Sequence, residues 1–113
     1  MNGPQAVPEI TPTELKARLD AGDVPVLVDV REAFEIEIAD LPEHGQIRIP
    51  TGAFMQRFGE IDSASDIVVY CRSGSRSERA ASILLQSGYE RVSNLRGGVL
   101  GWRAEVDPTL AAY

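Results

Sequence analysis

The sequence predicts an α/β fold with a central parallel sheet of about five strands and helices on both faces. The runs VPVLVDV (residues 24–30) and DIVVY (residues 66–70) are short, apolar and rich in β-branched residues, as in strands covered on both sides. Segments with the helical spacing of apolar residues lie between such runs, and this alternation is typical of parallel sheets. The chain has 113 residues and no stretch typical of a linker, so one domain over residues 1–113 is expected.

The first helix is expected to begin at the segment TPTE (residues 11–14). Thr11 is the predicted N-cap, the proline takes the first helical position, and the glutamate closes a capping box. Leu15 and Leu19 then lie on one face, and Gly22 is expected to end the helix.

The remaining elements are predicted from apolar spacing and from breaks at glycine or proline. In chain order they are a short helix over residues 32–38, a brief strand over residues 47–49, a helix over residues 52–58, a helix from Ser75 that ends at Gly88, a last strand over residues 91–95, and a final helix that opens at Gly97 and surrounds Trp102.

The composition indicates an ordinary globular protein, with 43% hydrophobic and 25% charged residues, and excludes disordered and fibrous classes. The single cysteine cannot form an internal disulfide, which suits a reducing compartment. The first ten residues lack the basic and apolar regions of a signal peptide, and no apolar run approaches the roughly 20 residues of a membrane span. We therefore expect a soluble cytoplasmic protein with no membrane partner.

Charge is distributed unevenly along the chain. Residues 1–70 contain 13 acidic and 5 basic residues, whereas residues 71–103 contain six arginines and two glutamates. For most of these arginines a solvated surface position is the simplest interpretation. A chain with a net charge of −6 is a poor nucleic-acid binder, so no nucleic-acid partner is expected.

The segment IVVYCRSGSRS (residues 67–77) contains the strongest functional signal. Ligands of parallel sheets bind at the carboxyl ends of the strands, and Cys71 directly follows a buried strand and precedes a helix. The small residues of this loop allow successive backbone N–H groups of residues 72–76 to converge at the positive end of that helix. That setting, together with Arg72 and Arg76, is expected to lower the thiol pKa and favour the thiolate.

A thiolate within such a loop has two chemical uses. It can attack phosphorus while the loop holds phosphate oxygens, or it can accept a sulfane sulfur while the loop holds the terminal sulfur. The alternative to both is a buried, inert cysteine, because free cysteine is among the most buried residue types. The position of Cys71 before a loop of Gly, Ser and Arg, rather than within an apolar stripe, argues against that alternative.

Several segments together resemble a single rhodanese domain, the sulfurtransferase module that carries sulfur as a cysteine persulfide. The matching segments are LVDVRE (27–32), IADLPEHGQIRIP (38–50), VVYCRSGSRS (68–77), L-x-G-G (95–98) and Gly101-Trp102. The ending GGVLGWRAEVDPTLAAY is similar to the C-terminal rhodanese domain of molybdopterin- and thiamine-pathway adenylyltransferases. Those domains pass sulfur to small ubiquitin-like carrier proteins.

The resemblance implies a role for each residue that matches the family's site. These residues are Cys71 as the nucleophile, Arg72, Ser73, Gly74, Ser75 and Arg76 as the loop that binds substrate and persulfide, and Asp29, Arg31 and Ser77 as supporting residues. It implies that Asp29 anchors backbone donors near the loop and that Arg31 either does the same or faces substrate. The implied reaction needs no cofactor or metal.

Loops after three neighbouring strands are expected to form an open, positively charged edge around the thiol. The arginines expected there are Arg31, Arg72, Arg76 and Arg96. Residues 39–47 depart from the family's G-H-I-P-G-A pattern, because Ala39-Asp40 replace Gly-His and the only histidine is His44. A metal site is not expected, since this histidine and Cys71 are far apart in sequence.

Loop length separates the two enzymatic interpretations. Cysteine-dependent phosphatases use an arginine six positions after the nucleophile, whereas here that position is Ser77 and the arginine is Arg76. The shorter ring is expected to fit one large sulfur rather than a phosphate. We therefore expect a sulfurtransferase of the thiosulfate:cyanide type, whose candidate partners are thiosulfate, a protein persulfide donor and a small sulfur-carrier protein. A cysteine-dependent phosphatase or arsenate reductase and a noncatalytic binding module remain the alternatives.

Overall fold

Five parallel strands form one sheet in the computed structural model, which describes residues 6–113. The strands are β1 (Glu9–Ile10), β2 (Val26–Asp29), β3 (Ile47–Arg48), β4 (Ile67–Tyr70) and β5 (Val92–Leu95), in the spatial order β1-β5-β4-β2-β3. Every neighbouring pair is parallel. The predicted parallel α/β sheet is confirmed. No signal peptide is expected in the first ten residues, and residues 1–5 of that segment lie outside the described residues.

Within residues 6–113, four α-helices connect the strands and a fifth follows β5. They are α1 (Pro12–Asp20), α2 (Ala33–Ile38), α3 (Phe54–Arg57), α4 (Ser75–Gln86) and α5 (Gly98–Glu105). Within residues 6–113, none of these helices has the length and apolarity that a membrane span requires.

Helix α1 has the predicted N-terminal geometry. The Thr11 side chain accepts a hydrogen bond from the Glu14 amide at 3.1 Å, and the Glu14 side chain accepts one from the Thr11 amide at 2.8 Å. Leu15 is fully buried, and Leu19 packs against the same side of the core. The helix ends at Asp20, and Gly22 follows with a φ of 78°.

Two details differ from the sequence-based expectation. The edge strand β1 was not predicted, because Glu9–Ile10 is too short to display any alternation of apolar and polar residues. The helix expected over residues 52–58 is a single α-helical turn between two 3₁₀ turns, Thr51–Ala53 and Phe58–Glu60.

The core has two layers, one on each side of the sheet. Val28 and Val69 belong to the layer that packs against α3 and α4, whereas their neighbours Leu27 and Val68 belong to the layer that contains Trp102 of α5. This alternation explains why the central strands are apolar at nearly every position. The carboxyl end of β4 is buried between the two layers.

The start of α5 contacts the loop that follows β4. The Val99 amide donates to the Cys71 carbonyl oxygen at 2.9 Å, and the Leu100 amide donates to the Arg72 carbonyl oxygen at 3.0 Å. Gly98 has a φ of 58°, and a Cβ at this position would lie 2.3 Å from the Cys71 carbonyl oxygen. The fold therefore requires a glycine at residue 98.

We predict that Gly98→Ala destabilises the protein by at least about 2 kcal/mol, because a Cβ meets fixed backbone atoms and the positive φ adds strain. The matched control is Gly59→Ala, since nothing lies within 4 Å of a Cβ built at Gly59. Urea denaturation of the two variants measures the difference. Equal stability of the two variants would contradict the close backbone packing at Gly98.

Candidate active site

Cys71 lies immediately after β4, and its sulfur is surrounded by hydrogen-bond donors. The amides of Gly74 and Ser77 lie 3.1 Å and 3.4 Å from Cys71 Sγ, and the Ser77 hydroxyl lies 3.3 Å from it. The cysteine is 1% exposed. Three donors therefore converge on one buried sulfur atom, and all of them come from the six residues that follow it.

These donors change the acidity of the thiol. Burial raises the pKa of Cys71, but hydrogen bonds from the Ser77 hydroxyl and from the amides of Ser77, Gly74 and Ser73 lower it, and the net pKa is below the ordinary value for cysteine. A larger fraction of this thiol is therefore ionised than of an ordinary cysteine, and the thiolate is the nucleophilic form.

Gly74 allows the loop to turn tightly enough for its amide to reach the sulfur. It precedes the first residue of α4 and has a φ of 108°, a conformation that favours glycine. Its carbonyl oxygen accepts a hydrogen bond from Asn94 Nδ2 of β5 at 3.0 Å. The neighbouring strand thus fixes the turn from outside the loop.

Ser77 and Asn94 form a buried pair behind the sulfur. The Ser77 hydroxyl lies 2.5 Å from Asn94 Oδ1, 3.2 Å from the Gly74 carbonyl oxygen and 3.3 Å from Cys71 Sγ. A hydroxyl has one proton, so these three acceptors compete for it. Sequence reasoning missed Asn94, because nothing local distinguishes it from any other polar residue in a strand.

Arg76, the last residue of the loop, forms a bidentate ion pair with Glu35 of α2. Both guanidinium–carboxylate distances are 2.8 Å, and Glu35 is 4% exposed. Hydrogen bonds from Arg76 lower the pKa of Glu35 to about 2, so this carboxylate is charged at neutral pH. The guanidinium thereby links α2 to α4, and its charge is compensated. Glu35 was not predicted from the sequence.

Arg72, the first residue after the cysteine, is directed toward Tyr113. Its guanidinium lies 5.3 Å from the centroid of the Tyr113 ring, and its Nε donates to the Tyr113 carbonyl oxygen. The Tyr113 hydroxyl donates to Glu35 Oε1 at 3.1 Å and accepts from Arg31 Nη1 at 2.9 Å. Ser73 and Ser75, the other polar loop residues, are exposed.

Asp29 and Arg31 belong to a buried ion network at the end of β2. Asp29 accepts from the backbone amide and from the guanidinium of Arg31, and from Arg48 Nη1 at 2.7 Å. The Arg31 guanidinium also donates to Asp40 Oδ1 at 2.9 Å and to the Ala39 carbonyl oxygen at 2.7 Å. Both residues therefore support the backbone beside the thiol loop.

The expected arrangement of arginines around the thiol requires a correction. Arg31 is 2% exposed, so it contributes no charge to the surface and does not face a substrate. Arg96 is exposed and pairs with Glu9 of β1 at 3.1 Å. His44 Nδ1 lies 3.0 Å from the Pro42 carbonyl oxygen, within the loop before β3. Across residues 6–113, no cluster of three or more His, Cys, Asp or Glu side chains could hold a metal ion.

An open groove of about 270 Å³ lies beside Arg76. Its lining consists of Thr51, Phe54, Met55, Arg76, Arg79, Ala80 and Ile83. Met55 in this groove is 63% exposed. Phe34, which precedes Glu35 on α2, is 64% exposed. An apolar and cationic surface thus adjoins the loop.

Comparison with known proteins gives consistent similarities. Residues 11–105 match the family described as "Rhodanese-like domain". A sulfurtransferase of Allochromatium vinosum is 42% identical over 93% of this chain and 96% of its own length. The adenylyltransferase and sulfurtransferase MOCS3-2 of Zea mays is 31% identical over 92% of this chain, but the match spans only 23% of that protein.

Among solved structures, the crystal structure of a rhodanese-related protein from Thermoplasma volcanium is similar to this chain, with a TM-score of 0.78 and 26% identity. The match covers 89% of this chain and 95% of that one.

We predict that Ser77→Ala raises the pKa of the Cys71 thiol, because the variant loses the hydroxyl donor while burial of the sulfur is unchanged. The rate of alkylation by iodoacetamide, measured against pH, reports this pKa. The matched control is Ser82→Ala on α4, whose hydroxyl accepts from Gln86 rather than contacting the sulfur. A pH profile that coincides with that of the unaltered protein would show that the hydroxyl does not stabilise the thiolate.

Proposed function

The chain belongs to the rhodanese-like domain family and is a sulfurtransferase by its relatives, and we propose that it carries the transferred sulfur as a persulfide on Cys71. The observation that carries this proposal is the convergence of the Gly74 amide, the Ser77 amide and the Ser77 hydroxyl on one sulfur atom. Donors at this spacing suit a sulfur anion, and they make the thiol more acidic.

The proposed reaction has two displacement steps. In the first, the Cys71 thiolate attacks the outer sulfur of the donor, a new S–S bond forms, and the donor's S–S bond breaks with departure of its remaining anion. With thiosulfate as donor, that leaving anion is sulfite. In the second, an acceptor nucleophile attacks the outer sulfur of the persulfide, and the Cys71 thiolate is regenerated. The steps use no external oxidant or reductant and predict ping-pong kinetics.

The loop residues have distinct roles in this proposal. The backbone N–H groups of residues 72–76 hold the outer sulfur, and Ser77 stabilises the thiolate that is regenerated at the end of each cycle. Arg76 acts chiefly through its ion pair with Glu35, which fixes the end of the loop, while Arg72 supplies an exposed positive charge at its start. A thiol that must remain reduced suits the cytoplasm, which we propose as the site of action.

The physiological acceptor in this proposal is a small protein with an acidic face, such as a sulfur carrier, and thiosulfate is a poor donor. Exposed Arg72 gives the edge near the thiol a positive charge, although the chain is acidic as a whole. Exposed Phe34 and Met55 add apolar area that a small anion would not need. Complementary charge steers such a partner toward the thiol and raises the association rate.

Intact mass spectrometry tests the persulfide. We predict that incubation with thiosulfate or a persulfide donor adds the mass of one sulfur atom, that cyanide or dithiothreitol removes it, and that Cys71→Ser abolishes both the adduct and thiosulfate:cyanide activity. The serine hydroxyl is nearly isosteric but forms no stable persulfide, so the variant remains folded. Activity retained in Cys71→Ser would refute the assignment of Cys71 as the nucleophile. The lack of any adduct on the unaltered protein would favour a noncatalytic binding module.

A salt series tests the partner. We predict that sulfur transfer to an acidic carrier protein slows as salt rises, because exposed charges are screened over about 10 Å at 0.1 M. Arg72→Ala should slow this transfer at low salt by more than Lys16→Ala, a control on α1 that removes the same charge. Efficient turnover of thiosulfate, combined with no salt-sensitive transfer to any carrier, would instead indicate a small-molecule sulfurtransferase.

A further inference from the structure

Tyr113 joins the two ends of the loop that surrounds the thiol. Its ring and carbonyl oxygen contact Arg72, the first residue after the cysteine. Its hydroxyl donates to Glu35, whose carboxylate holds Arg76, the last residue of the loop. One residue thus connects the two ends of a loop whose thiol is 1% exposed.

The position of Tyr113 conflicts with free access to the thiol. The proposed donors and acceptors must approach Cys71 Sγ from the side that the loop donors leave open. A small anion needs little space to reach the sulfur. A sulfur atom that is bound to a partner protein brings part of that protein's polypeptide chain to the loop and needs more space. The contacts of Tyr113 with Arg72 and Glu35 connect the two ends of the loop, and we infer that a chain following its sulfur into the loop must displace them.

The segment that carries Tyr113 is held in a way that allows it to move. Leu110 is fixed, because its carbonyl oxygen accepts from Arg103 Nε at 2.7 Å and its amide donates to Asp107 at 3.2 Å. Ala111 and Ala112 are exposed, and within the described part of the chain neither makes a hydrogen bond. Beyond Leu110 the segment is held by Tyr113 itself, which contacts Arg72, Glu35 and Arg31 and packs against the core layer that contains Trp102. Displacement of Tyr113 therefore exchanges these contacts for those of a partner.

We propose that Tyr113 is a specificity-determining gate, which lets small sulfur compounds reach Cys71 and must be displaced before a protein-bound sulfur can react. This inference rests on the proposed sulfur transfer and extends it to the choice of substrate. Displacement of Tyr113 frees Arg72, so a partner that offers a carboxylate to this guanidinium favours the open form. A ligand shifts the equilibrium between the closed and open forms only if it binds one of them more tightly. The contact between the partner's carboxylate and Arg72 exists only in the open form and provides this difference in affinity.

Alkylation with two uncharged reagents of different size tests the gate. Iodoacetamide serves as the small probe and N-(1-pyrenyl)maleimide as the bulky one, and the rate constant of the thiolate is taken from a full pH profile for each. We expect Tyr113→Ala to raise the maleimide rate constant about tenfold. This factor assumes that the closed form of the unaltered protein is populated roughly ten times more than the open form and that only the open form reacts with the maleimide. The iodoacetamide rate constant should change less than about twofold, because small probes pass the closed form.

Two further variants complete the test. Tyr113→Phe keeps the ring over Arg72 and loses the hydroxyl contacts. Its maleimide rate constant should therefore lie between those of the unaltered protein and of Tyr113→Ala. Tyr89→Phe is the matched control, since its hydroxyl donates to carbonyl oxygens of Phe58 and Ile61. This control should lower the melting temperature without changing either rate constant.

An unchanged ratio of the two rate constants in folded Tyr113→Ala would overturn the gate. If that variant does not fold, the same ratio in Tyr113→Phe decides the question. Alkylation requires no sulfur transfer, so the two proposals can fail separately. If Tyr113 controls alkylation by reagent size but no persulfide forms on Cys71, the proposed function is wrong and the gate stands. If a persulfide forms but Tyr113 does not discriminate between the two reagents, the gate is wrong and the proposed function stands.

Discussion

The geometry around the Cys71 sulfur depends on direct contact between two backbone segments, the loop after β4 and the start of α5. Hydrogen bonds from Val99 and Leu100 pair the carbonyl groups of Cys71 and Arg72, and the Cys71 residue is buried, so its carbonyl group needs such a partner. With those carbonyl groups fixed on one side, the later amides of the loop turn toward the sulfur. Gly98 makes this approach possible, because a Cβ there would lie 2.3 Å from the Cys71 carbonyl oxygen. The acidity of the thiol thus depends on this backbone packing as well as on the Ser77 hydroxyl.

A second constraint comes from the charges buried at the end of β2. Burial of an ion costs several kcal/mol unless it is paired and fully hydrogen-bonded. Asp29 meets this requirement through Arg31 and Arg48, and among residues 6–113 every buried side-chain nitrogen or oxygen has a partner. The Arg31 guanidinium also donates to the Glu35 carbonyl oxygen at 3.3 Å, which ties α2 to the sheet. Because Glu35 in turn holds Arg76, the network extends from β2 to the end of the thiol loop.

The parts of this structure that sequence reasoning predicts are those with local signals. The TPTE segment specifies the start of α1 through contacts between adjacent residues, and strand–helix alternation is sufficient to place the cysteine at the carboxyl edge of the sheet. The contacts of Asn94, Glu35 and Tyr113 are different, because each joins residues that are 17 to 82 positions apart. No spacing rule relates such residues before the chain is folded. The same limit explains Arg31, whose sequence position at a strand end indicates an exposed site as readily as a buried one.

The ion pair of Arg76 also bears on the choice between sulfur and phosphate chemistry. A phosphate group carries charge on several oxygens and is best held by an arginine that presents both nitrogens to it. Both terminal nitrogens of Arg76 already bind Glu35, and removal of this guanidinium would leave a buried carboxylate without its charged partner. Sulfur transfer makes a smaller demand, because the negative charge moves only about 2 Å, from Sγ to the outer sulfur. The neutral donors of Gly74 and Ser77 line the inside of the loop. They can stabilise the negative charge on Sγ and on the outer sulfur without any movement of Arg76.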